Sequence, residues 1–146
     1  MKQFILLLFL ISLQSYGQKN CGFIIDNEKI LKNEDLDYFL DKFETEKFEI
    51  TNRKGSIPKH INKQLECLAN GFTIANPNEE FQDSDIVDES KKLADRGLVF
   101  LAKSKNILIL YYGISSGPGI SSKYLFLEFD SKGIRKIWCG FGIGIN

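Results

Sequence analysis

Ser115 stands in Gly113-Ile114-Ser115-Ser116-Gly117, a match to G-x-S-x-G, the turn that exposes a nucleophilic serine in α/β-hydrolases. That chemistry needs a strand before the serine, a helix after it and a histidine later in the chain. An apolar strand does precede this segment, but Pro118-Gly119 follow it and another strand pattern comes next. The single histidine, His60, lies upstream. The stretch 113–122 is therefore expected to be a glycine loop between two strands, presenting Ser115 to a partner rather than acylating it. It also lacks the Lys-Ser/Thr ending of a phosphate-cradling loop.

Asp83-Ser84-Asp85, followed by Asp88-Glu89, resembles the start of a calcium loop. An EF-hand requires a third ligand two residues on and a glycine after it, and Val87 and Asp88 occupy those places. Asp83 and Asp85 thus read as acids of a solvated loop, available for partner contact. His60 pairs with no acid or nucleophile at a diagnostic spacing. Its only catalytic prospect is convergence with acids of the 76–96 loop, which would make a small hydrolase or a ligand-binding enzyme.

Three cysteines allow one disulfide and one leftover thiol. Cys139 shares strand parity with Ile137 and Phe141, so it reads as the leftover thiol, buried in the core. Cys67 lies on a helix flank and Cys21 begins the folded region, which makes Cys21–Cys67 the favoured bridge. No C-x-x-C or H-x-x-H cluster is present, so neither a metal nor another cofactor is expected.

The elements that position these residues follow from periodicity. Residues 22–31 suggest a first strand and turn. Asn33 is a good N-cap, with Glu34 and Asp35 behind it at the positive end of a helix dipole. Leu36, Phe39, Leu40 and Phe43 recur at i, i+3, i+4 and i+7, which predicts an amphipathic helix with those four facing the core. A second helix is bounded by Ser56 and Pro58 at its start and Asn70-Gly71 at its end, and carries Ile57, Ile61, Leu65 and Leu68 on one stripe. Phe72 and Ile74 begin a short strand. Asn76 to Arg96 reads as a polar loop, longer than connections usually run inside a compact domain.

From Gly97 the pattern becomes strands: 98–103, 107–112, 123–129 and 134–139, parted by turn residues at 104–106 and 130–133. The second, Ile-Leu-Ile-Leu-Tyr-Tyr, is apolar on both faces and should be central. The fourth has Arg135 and Lys136 outward, as an edge strand would. Trp138 lies on the Lys136 side of that edge: if the strand is covered on one side only, it is exposed and able to anchor a partner, and otherwise it packs against the helices or the C-terminal tail. The tail 140–146 alternates glycine with apolar residues, a pattern that either extends the last strand or adds to another chain's sheet. The expected architecture is α+β: an antiparallel meander of four to five strands with both helices packed on one face.

The N-terminus has the design of a secretory signal. Met1-Lys2-Gln3 is followed by the apolar run Phe4–Leu13, too short to span a bilayer, and Ser15-Tyr16-Gly17 supplies small residues for cleavage before Gln18. Lys19 and Asn20, directly before Cys21, do not suit lipoprotein processing. The organisation is thus a signal peptide over 1–17 and one domain over 18–146, destined for the periplasm or exterior. Loss of Lys2 takes the 19 basic residues to 18, against 19 acidic ones. That balance argues against nucleic acid or an anionic membrane as a partner.

The stretches Ile57–Leu68 and Gly71–Glu80, with the signal and the strand-rich end, resemble small exported proteins of unknown function from Bacteroidota. The resemblance implies export and transfers no site residues. What remains is a non-enzymatic exported module that binds another envelope or extracellular protein, through the 76–96 loop, the glycine loop or the sheet edge. The enzyme built on His60 is the alternative, and a structural envelope component a third.

Overall fold

Four long strands form where apolar residues outnumber polar ones and β-branched or aromatic side chains concentrate. In the computed structural model, which describes residues 27–30, 33–68, 72–83, 90–116 and 119–141, these are β4 (Arg96–Lys103), β5 (Ile107–Ser116), β6 (Gly119–Asp130) and β7 (Gly133–Phe141). Each pairs antiparallel with the next, giving the meander that the sequence pattern implies. Three short strands join them: β1 (Asn27–Ile30), β2 (Glu49–Thr51) and β3 (Ile74–Ala75). The sheet order is β1-β7-β6-β5-β4-β2, with β3 added beside β4. β1 on β7 and β3 on β4 are parallel pairings.

Two expectations change here. β7 is not an edge, because β1 lies beyond it in the register Asn27↔Lys136 to Ile30↔Cys139. The glycine loop is also mostly strand: Gly113 faces Ser122, Ile114 faces Ser121 and Ser115 faces Ile120. Gly113 can lie inside a ladder because a side chain there would meet Ile120, which occupies that space.

Two helices flank the sheet among the described residues, α1 (Asn33–Thr45) and α2 (Lys59–Leu68), with a 3-10 turn over Lys54–Ser56 between them. They pack on opposite faces, not on one. Leu108, Leu110 and Tyr112 of β5 join Leu125 and Leu127 of β6 and Ile134 and Ile137 of β7 in the larger core, beneath Ile57, Ile61 and Leu65. The alternate residues Ile107, Ile109, Phe126 and Trp138 face the other way and meet Phe39 of α1. The period of two in a strand delivers side chains to both faces, and β5, apolar on both, is covered on both. A register shift between Leu98 and Phe100 keeps Leu98 and Leu101, three apart, on the α2 face.

Two site expectations fall with this geometry. Trp138 is 4% accessible and packs against α1, the second of its two readings, which removes it as a partner anchor because α1 covers the face that a one-sided sheet would have left open. Cys139, opposite Leu125 and on the α2 side, is exposed rather than in the core. α2 covers the Ile134 end of β7, where Gln64 Oε1 accepts from the Ile134 amide at 2.8 Å, and Cys139 lies farther along.

Candidate functional site

Asp35 and Phe39, one turn apart, form the side of α1 that meets the sheet. Trp138 Nε1 donates to Asp35 Oδ1 at 3.2 Å, within a buried pair. The Phe39 ring centroid lies 4.4 Å from that of Phe126 and 5.2 Å from that of Trp138, edge-on to the latter. Tyr38 donates to Glu128 on β6. Burial, and then that hydrogen bond, push the Tyr38 hydroxyl above the ordinary tyrosine range.

This rotation of α1 turns most of its apolar stripe outward. Phe39 is 2% accessible, whereas Leu36 is 40%, Phe43 41% and Leu40 60% accessible. Periodicity places all four on the core side; only Phe39 goes there. Phe43 stacks on Phe48 at 4.3 Å, which itself packs against the α1-side core. Two residues further, Ile50 pairs with Ala102 and so shares that face of the sheet, 69% accessible. The result is an exposed apolar surface along Leu36, Leu40 and Phe43 that continues toward Ile50. Asp37, Asp41 and Glu44 border the stripe along one edge of the helix and are exposed, with no ion pair among the described residues. Such a face, apolar with acids along one edge, is chemically complementary to a segment that is apolar and basic.

Among the described residues, those singled out from sequence do not converge. Ser115 lies within β5, half-buried, and a strand follows 119 onward instead of a helix, so no nucleophile elbow is formed. Asp83 is exposed, and Asp85 lies outside the described residues, as do Cys21, the signal segment and the tail beyond 141. His60 Nε2 lies 3.2 Å from the Asp130 carbonyl, which can only accept, so the bonded tautomer carries its proton there. The Phe129 ring lies 6.4 Å from the imidazole, centroid to centroid. The described acids of the 76–96 stretch are engaged elsewhere or exposed: Glu79 with Asn76 and Lys54, Glu80 with Lys91.

The described parts of the 76–96 stretch, 76–83 and 90–96, are better tied down than their composition suggests. Glu79 closes a turn by accepting from the Asn76 backbone and side-chain amides at 2.9 and 2.8 Å. Phe81 bridges to Ala94, the Gln82 amide donates to the Ala94 carbonyl at 2.7 Å, and the Phe81 ring lies over Gly97. Phe81 is the signal that polarity alone hides, one aromatic residue pinning both arms of a polar segment. Cys67 is a half-cystine, and Cys139 stands outside any disulfide.

Compared with known proteins, the chain matches no family model, no curated protein and no solved structure.

Proposed function

We propose that this protein is an exported, non-enzymatic binding module whose outward α1 face docks a basic, apolar segment of another envelope or extracellular protein. The observation that carries this reading is the exposure of Leu36, Leu40 and Phe43 on a helix anchored by Asp35 and Phe39. Leaving apolar area of this kind in water forgoes about 25 cal/mol per Å² of burial, which association with a complementary surface would recover. The acidic rim favours a cationic partner and opposes the pairing of two α1 helices from identical copies.

Export rests on the apolar run Phe4–Leu13 and the small residues before Gln18, with removal of 1–17. The compartment that follows is oxidising, and Cys21 is the disulfide partner we assign to Cys67, since Cys139 is not bridged. Non-reducing peptide mapping tests the pairing: a Cys139-containing bridge would overturn it.

The docking role is tested in the native host with a photoreactive benzoylphenylalanine at position 40 of the full chain, and a control at exposed Lys105. A discrete adduct from position 40, absent at position 105 and lost on Phe43→Asp, is the expected result. The yield should fall as salt screens the acidic rim. The same adducts at both positions, or none at position 40, would sink the docking role.

A further inference from the structure

A cleft of about 810 Å³ lies on the other side of the molecule, between α2 and the segments 73–80 and 92–94. Its volume is in the range of small-molecule sites, roughly 300–1,000 Å³. Ile57, Ile74 and Ala75 give it an apolar floor from the buried core, and Leu93 and Ala94 extend that floor. Lysines from both sides line it: Lys59 and Lys63 on α2, Lys92 in the 92–94 segment and Lys54 in the 3-10 turn.

The ion pairing around the cleft leaves these cations unequally matched. Lys54 is engaged by Glu79 at 3.0 Å, and Glu79 is held further by Asn76. Glu80 is paired with Lys91 at 3.6 Å. Glu66 accepts from Asn62 Nδ2 at 2.7 Å on the α2 wall. Lys59, Lys63 and Lys92 have no ion pair among the described residues, so positive charge is in excess over an apolar floor. The first turn of α2 holds no acid, unlike that of α1 with Glu34 and Asp35, so its dipole adds field of the same sign.

We propose that this cleft binds a small amphiphilic anion, an apolar body lying on Ile74 and Ala75 with a carboxylate or phosphate group between the lysines of the two walls. The lysine stems are long enough to lie along the apolar floor while the ammonium groups close over the anion. A neutral apolar ligand would fill the floor and leave the ammonium groups unmatched. A nucleic acid would need a basic surface that this charge-balanced chain lacks. This site is independent of the α1 docking face.

The test is amide NMR of the purified protein titrated with octanoate, with octanol as the uncharged counterpart. Octanoate should shift the Ile74, Ala75 and Ala94 resonances saturably, and octanol should bind about tenfold more weakly. The double substitution Lys63→Gln with Lys92→Gln should weaken octanoate about fivefold or more, whereas Lys105→Gln should leave it unchanged. Phosphatidylglycerol vesicles, presenting the anion on a bilayer, should compete no better than free octanoate. Equal binding of octanol, shifts confined to α1, or binding to vesicles alone would overturn the proposal. Shifts at the cleft that grow with protein concentration in the absence of ligand would also overturn it, by pointing to the acidic α1 of a second copy as the occupant.

Discussion

The indole N–H of Trp138 donates to the carboxylate of Asp35 across 103 positions of sequence, and this hydrogen bond sets which side of α1 meets the sheet. A buried indole needs an acceptor, and a buried carboxylate needs a donor. With Asp35 turned inward, Phe39 follows one turn later. Leu36, Leu40 and Phe43 are carried outward.

Replacing Asp35 by Ala leaves the Trp138 indole without this acceptor in a buried setting. The expected cost is about 2 kcal/mol, read from urea unfolding, and Asp35→Asn, which keeps an acceptor oxygen, should cost less. A neutral outcome for Asp35→Ala would mean that the pair does not anchor the helix.

Phe39 and Leu40 are adjacent and equally apolar, yet the structure separates them. Phe39→Ala should cost about 3–5 kcal/mol through the cavity left against Phe126 and Trp138. Leu40→Ala should stay within about 0.5 kcal/mol, as surface substitutions do. Equal destabilisation by both, in the same unfolding assay, would show that the stripe packs inward.

Gly97 lies beneath Phe81: a Cβ there would come within 2.6 Å of the ring's Cε1. Gly97→Ala should therefore displace Phe81 and cost about 1–3 kcal/mol. The penalty should shrink in a Phe81→Ala background, and a double-mutant cycle measures the coupling. Strict additivity would count against Phe81 as the pin of the 76–96 stretch.

The Asn76 backbone amide, then Lys54 and the Asn76 side chain, hold the Glu79 carboxyl well down, from its ordinary 4.5 to about 2. A carboxylate with a depressed folded value contributes stability that is present above its unfolded value and is lost as pH falls through the folded one. The turn should thus persist to about pH 2, with its contribution fading between pH 4.5 and 2. Carbon-13 titration of the Glu79 carboxyl should give a midpoint near 2, and Glu79→Gln should flatten the stability profile over that window. Asp130, lowered chiefly by its hydrogen bond to Arg135, acts in the same direction. A midpoint at the ordinary value would remove the turn from the account of acid stability.

Much of the framework was legible before the structure. The meander, the central β5 and the spans of both helices follow from residue patterns that report local periodicity. The strands ran longer than their apolar stretches because ladder pairing carried Gly113–Ser116 and Gly119–Ser122 into the sheet. The lysine cleft was not legible at all. Its cations come from positions 54 to 92, and no short motif brings them together.

The sequence by itself determined where helices and strands form, because spacing of 3.6 or 2 and local breakers act within a few residues. It also carried the apolar character of both faces of β5, which requires cover on both sides. Only the tertiary structure decided which element covers which face and how α1 is rotated. A helical stripe states what is apolar, not what lies opposite it. The choice between Phe39 and Leu40 was made by Trp138 and Phe126, which no local rule connects to the helix, and it left the remaining stripe at the surface.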